Sequence, residues 1–305
     1  MIADRIRAKE YFPNELYIYS NDNKARKLNP SDGSVVWTSN TFGSFSSGIS
    51  CDWAGNLYVG FSSGEVKRLD PSDGSVVWTS ASFGTNSYGI VITRNNCLYV
   101  GANDGKVRKL NPSNGSVIWT SADFGTYAAG LTCDPNFNIY VGTQEGYVRK
   151  LDPSDGSVVW TSNDLGTYII GLTCDSIGNL YAGADDGKVR KLDPSDGSVV
   201  WTSASFGQYT RRIMCYFDKS VYVGAIDGKV RKLNPSDGSV VWTSASFGAY
   251  SYGLSVDRYG YVYVGFSSGK VKRLDPSDGS VVWTSASFGA TYAIANTSHY
   301  AGWGI

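Results

Sequence analysis

Trp37, Trp78, Trp119, Trp160, Trp201, Trp242 and Trp283 stand 41 residues apart, with no insertion or deletion between them. A period of this length held over seven copies leaves a chain little freedom. Each copy is one supersecondary unit that cannot cover its own apolar surface and must stack on its neighbours. Around each Trp lies one phrase, "DPSDGSVVWTS" at residues 70–80, repeated unchanged from Asp152, Asp193 and Asp275 and nearly so from Asn29, Asn111 and Asn234. Seven units of 41 fill 287 of 305 positions, so the pattern describes one array and not two domains.

Within a unit the pattern is β. Residues 253–285 read "GLSVDRYGYVYVGFSSGKVKRLDPSDGSVVWTS", four short runs of Val, Leu, Tyr and Thr separated by turn residues. "SSG", written "NDG", "DDG" or "IDG" in other copies, supplies Gly where a tight hairpin needs positive φ. In "DPSDG" Pro presets φ, Asp and Ser bond nearby backbone, and Gly closes the turn. No window carries apolar residues at helical spacing. Four antiparallel strands with apolar residues on both faces need a sheet on either side, which radial stacking provides. The pattern predicts an all-β fold: a seven-bladed β-propeller of four-stranded antiparallel blades.

The ends of the chain test that count. Second, third and fourth strands occur seven times from Glu15 onward, whereas first strands precede them only six times. The seventh first strand is "TYAIANTS" at residues 291–298, after the last repeated Trp. The C-terminal strand is therefore expected to pair into the N-terminal blade and close the ring. The reading is a single domain over 1–305: an extension at 1–14, seven blades over 15–289, a closing inner strand at 290–298 and a tail at 299–305.

The phrase and the strands before it, "VYVGxxxGKVxxLDPSDGSVVW", resemble the repeat of the PQQ-like, quinoprotein-type β-propellers. That family carries a tryptophan-docking motif, A-x-D-x-x-T-G-K-x-x-W. Residues 68–78, "RLDPSDGSVVW", match it at Asp70, Gly74 and Trp78, and depart with Arg68 for Ala, Asp73 for Thr and Ser75 for Lys. The Gly-His and Trp-Asp pairs of WD repeats are missing. The resemblance implies that the seven repeated Trp residues dock on neighbouring blades. Strand alternation places Val76 with Trp78 on one face. Arg68 and its equivalents are then expected to stack on the indole, a contact worth about 0.5–2 kcal/mol. Quinoprotein enzymes of the family hold a quinone with calcium. With no adjacent Cys pair and no carboxylate cluster outside the turns, that cofactor does not carry over, and none is expected.

Composition narrows the function. Lys plus Arg and Asp plus Glu are 27 each, so the excess of base that nucleic acid or an anionic membrane requires is absent. No run of about 18 apolar residues could insert in a membrane. The start, "MIADRIRAKEYFPNE", lacks the apolar core of a secretory signal, and the expected setting is cytoplasmic or virion-associated. Cys51, Cys133, Cys174 and Cys215 share a repeat position with Ile92 and Val256, the mark of a buried apolar site, while Cys97 lies elsewhere. His299 is the only histidine, Glu is scarce and Asp recurs with the turns. No catalytic triad or metal-ligand set assembles from these, so the expectation is a chain that is not an enzyme and holds no metal.

The unrepeated residues follow Gly43, Gly84, Gly125, Gly166, Gly207 and Gly248, on the connection from a blade's outer strand back to the central channel. Phe45, Tyr88, Tyr127, Tyr168, Tyr209, Tyr250 and Tyr252 lie there. In one copy Arg211 and Arg212 intrude, Arg212 where other copies have Gly. An aromatic ring at a channel mouth suits a protein partner or a sugar, since Tyr offers contact area with a polar tip. The Arg pair suits an acidic ligand. The expectation is a monomeric, non-catalytic binding or scaffold propeller for a protein partner. The alternative is a multivalent, lectin-like glycan binder on a virion or cell surface, where avidity supplies affinity.

Overall fold

The computed structural model describes residues 14–297 apart from 85, 126, 167, 208, 211, 217 and 218. The chain forms seven four-stranded antiparallel sheets, and no α-helix occurs among the described residues. Blade I takes β1 (Leu16–Ser20), β2 (Lys24–Leu28) and β3 (Val35–Thr38) from the N-terminus and its inner strand, β28 (Thr291–Asn296), from the C-terminus. Blades II to VII follow in chain order, spanning residues 46–79, 87–120, 128–161, 169–202, 212–243 and 251–284. Leu16 pairs with Asn296 and Ile18 with Ile294, so the expected closure of the ring is present.

The second strand of each blade is buried throughout, and its Tyr makes the core: Tyr17, Tyr58, Tyr99, Tyr140, Tyr181, Tyr222 and Tyr263 are at most 1% exposed. Each lies against the Trp of its own outer strand, with ring centroids 5.7–6.1 Å apart. That indole reaches the next blade. Trp37 Nε1 donates to the Pro71 carbonyl at 3.0 Å and Trp78 Nε1 to Pro112 at 3.0 Å. The series continues around the ring to Trp283, which donates to Pro30 of blade I at 3.1 Å. The indole covers the Gly of the same turn, so closely that a Cβ on Gly74 would stand 2.6 Å from Trp37.

The base next to the Trp behaves differently from the expected stacking. Tyr58, Arg68 and Trp78 are lateral neighbours, because Arg68 pairs with Tyr58 on one side and Trp78 on the other. The two rings tilt together, and the guanidinium extends past them: Arg68 Nη2 donates to Asn56 Oδ1 at 2.8 Å. In five blades the residue is Lys. There its ammonium lies over the Tyr and donates to the Pro carbonyl that the Trp also uses, as Lys109 does to Pro153 at 3.0 Å.

Asp52, Asp134, Asp175 and Asp257 are buried beneath the turn between first and second strands. Asp52 accepts from the backbone N–H of Ala54 and Asn56 and from the Tyr58 hydroxyl, a turn-closing role that occupies both oxygens. Cys51, Cys174 and Cys215 are buried as their repeat position implies, and Cys133 is half-buried. All five cysteines are free thiols. Burial pushes the Cys51 and Cys174 thiols well above their ordinary range, which disfavours the thiolate.

Candidate binding face

The connection from each outer strand to the next inner strand runs beside the hairpin turn that joins strands two and three. Backbone bonds tie them: Ser62 N–H to Phe45 O, Gln144 N–H to Tyr127 O, Asp185 N–H to Tyr168 O and Ser267 N–H to Tyr250 O, all at 2.8–3.2 Å. Both segments therefore occupy one face of the disc, and the turns carrying "PSDG" occupy the other.

The aromatic residues on this face fall into two repeat positions. Phe45, Tyr127, Tyr168, Tyr209 and Tyr250 form the outer set; Phe45, Tyr209 and Tyr250 are 36%, 38% and 49% exposed. Tyr88 and Tyr252 stand two residues further on, half-buried in the channel wall, and Tyr292 of the closing strand joins them. Tyr292 escapes a fixed period because the last connection is one residue shorter than the others. Leu254 pairs with Val264 as Ile294 pairs with Ile18, only 40 positions later. The rings make two arcs. One runs Tyr250, Tyr252, Tyr292, Phe45, with centroids 6.4, 5.2 and 4.5 Å apart. The other runs Tyr88, Tyr127, Tyr168 at 6.3 Å per step.

Blade VI separates the arcs. Tyr209 takes a left-handed φ of 60°, and the backbone N–H groups of Tyr209 and Thr210 donate to Asp185 and Ala184 of blade V. The inner strand of blade VI, β20 (Arg212–Cys215), begins later than its counterparts. Arg212 stands where Gly48, Gly89 and Gly130 abut the next blade so tightly that a Cβ would meet a carbonyl oxygen at 2.1–2.7 Å. Its own Nε donates to the carbonyl of Tyr252 in blade VII. Arg211 lies outside the described residues.

The opposite face carries a second set of unrepeated residues, outside the aromatic connections. Trp53, Ile177 and Tyr259, 51%, 63% and 48% exposed, sit on the turns between first and second strands. The signal was available, since these turns differ from copy to copy, but their flanking Asp and Gly read as turn chemistry alone. Among the described residues no group of three or more His, Cys, Asp or Glu comes together as a metal site would require.

A family model described as "Outer membrane protein assembly factor BamB", built on PQQ-like repeats, matches residues 21–163 and again 144–296. The chain belongs to this PQQ-like propeller family. No curated protein matches it. Among solved structures it is similar to the computationally designed Ika8 protein, with a TM-score of 0.74 and 16% identity over 92% of this chain and 87% of that one, a likeness of fold. As a PQQ-like propeller, the chain keeps the Gly and Trp of the repeat in all seven copies and the Asp in four, with Asn at 29, 111 and 234. Its own features are the two aromatic arcs and the break at blade VI. No helix among the described residues is long and apolar enough to cross a membrane.

Proposed function

We propose that this PQQ-like propeller is a non-catalytic, monomeric platform that binds a protein partner at the channel mouth. The observation carrying the reading is the pair of aromatic arcs on the segment that varies between blades, in which Phe45 and Tyr250 are exposed, with Tyr209 exposed between the arcs. Aromatic side chains of this kind anchor protein interfaces because they bury area at low entropic cost. The name of the family model, an assembly factor, supports a protein partner. The glycan reading needs near-equivalent sites on every blade. At the repeat position of Tyr88 and Tyr252 the sequence holds Ser47, Tyr88, Ala129, Ile170, Arg211, Tyr252 and Tyr292 in turn, which favours one asymmetric partner. The five free thiols fit folding in a reducing compartment, the cytoplasm or a virion assembled there.

A photo-crosslinking residue placed at Tyr250, with a rim control at Val77, tests the reading. The expected result is one protein crosslinked from the mouth alone, whose affinity for the purified chain falls about 10–100-fold in Phe45→Ala/Tyr250→Ala. Several equivalent glycan sites on an array and in titration would replace this reading with the multivalent one.

A further inference from the structure

The channel beneath the mouth has a chemistry of its own. Its wall carries one aliphatic side chain from every blade at the same level: Ile49, Ile90, Leu131, Leu172, Ile213, Leu254 and Ile294. Toward the mouth it is lined by Tyr88, Tyr252 and Tyr292. Arg212 is the single charged side chain among the described lining residues, and no carboxylate lines the channel with it. Its position is held by a hydrogen bond across the blade boundary to the Tyr252 carbonyl. A residue drifting in a tolerant loop would have no such anchor, and this one replaces a Gly at a place where its counterparts leave no room for a Cβ.

The space is about 160 Å³ and open toward solvent; its volume is close to that of a cavity that accommodates benzene, and polar backbone between the aliphatic side chains contributes to its wall. From this geometry we infer that the channel is a binding site for a small carboxylate with a compact apolar body. The body, about one phenyl ring in size, lies among the Ile and Leu ring, and the carboxylate remains at the mouth on the Arg212 guanidinium. Three features combine. The aliphatic ring removes apolar surface from water. A charge-assisted bond to a guanidinium held above an aliphatic ring, partly shielded from solvent, is stronger than one in bulk water. The tyrosines flank the headgroup with rings and hydroxyls. Because only blade VI supplies the Arg, the site binds one ligand per chain. The inference goes beyond the protein-partner reading and does not require it, since Phe45, Tyr209 and Tyr250 do not line the channel.

Titration calorimetry of the purified full chain with 3-phenylpropionate and its uncharged counterpart 3-phenylpropanol tests it. The carboxylate is expected to bind at one site per chain, at least tenfold more tightly than the alcohol. Arg212→Gly restores the residue found at this position in five other blades, so the variant is expected to fold. It should bind both probes alike, and Arg212→Lys should keep part of the preference for the acid. Tyr209→Ala/Tyr250→Ala should leave carboxylate binding unchanged even where it abolishes partner binding, which separates the two readings. Equal affinity for acid and alcohol, no binding of either at millimolar concentration, or an unchanged preference in Arg212→Gly would overturn the inference.

Discussion

At Gly74 two constraints coincide: φ is +76°, and the Trp37 ring lies where a Cβ would stand, at 2.6 Å. Gly84 has the same φ of +76° with nothing within 4 Å. The pair separates backbone strain from overpacking. Gly84→Ala should cost about 1–2 kcal/mol, the left-handed penalty for a side chain. Gly74→Ala should cost about 2–5 kcal/mol once overpacking against the indole is added. Denaturant unfolding measures both, and equal losses would show that the indole moves aside freely. The first residue of the turn gives a pH prediction. The Ser72 hydroxyl and backbone N–H hold the Asp70 carboxyl below its ordinary range, and Ser154 and Ser195 do the same for Asp152 and Asp193. These carboxylates stabilise the fold above the unfolded value near pH 3.9, and that contribution is lost as pH falls through the lower folded value. Replacing all three by Asn, which accepts the same bonds at Asn29, should flatten the acid limb of melting temperature against pH below about pH 4.

At the scale of the strand, the sequence pattern misleads in one respect. Alternation places Val76 beside Trp78, yet both Val76 and Val77 are exposed, at 45% and 49%, while the Trp is half-buried. The reason is a register shift that recurs in every blade: Arg68 pairs with Trp78, but Leu69 pairs with Val76, leaving Val77 as an extra residue. A bulge of this kind re-aims side chains and twists an edge strand away from pairing with another chain. It also explains how seven short, uncharged edges coexist with a monomeric reading. Val77→Thr and Val159→Thr should each change stability by no more than about 0.5 kcal/mol in thermal melts, as expected of exposed sites. Larger losses would mean that the rim valines are covered. Repeated turns, strands and Trp positions were legible because each is specified by residues close in sequence. The placement of Arg68 is not legible in the same way, because it depends on a Tyr one strand away and an Asn in another turn.

For the whole molecule, closure is the decisive event, and two devices secure it. β28 pairs with β1, and Trp283 of blade VII bonds to Pro30 of blade I. Ending the chain at residue 290 would leave β1 without its inner neighbour and remove the buried Ile294. The truncated chain should lose at least about 3 kcal/mol, roughly 10 °C in melting temperature, and unfold less cooperatively. An unchanged, cooperative melt would show that the Trp283 contact alone holds the ring.

The sequence by itself determined the number of blades, the strand order, the closure and the family, because a 41-residue period repeats local turn and strand chemistry that needs no distant partner. The aromatic connections and the exception at Arg212 were legible as differences between copies. Only the tertiary structure decided what those differences do: it brought Tyr292 from the closing strand between Tyr252 and Phe45, turned Tyr209 and Thr210 toward blade V, and anchored Arg212 on the Tyr252 carbonyl. Those arrangements depend on contacts between residues far apart in the chain, and on small departures from the period that become positions only when the ring is closed.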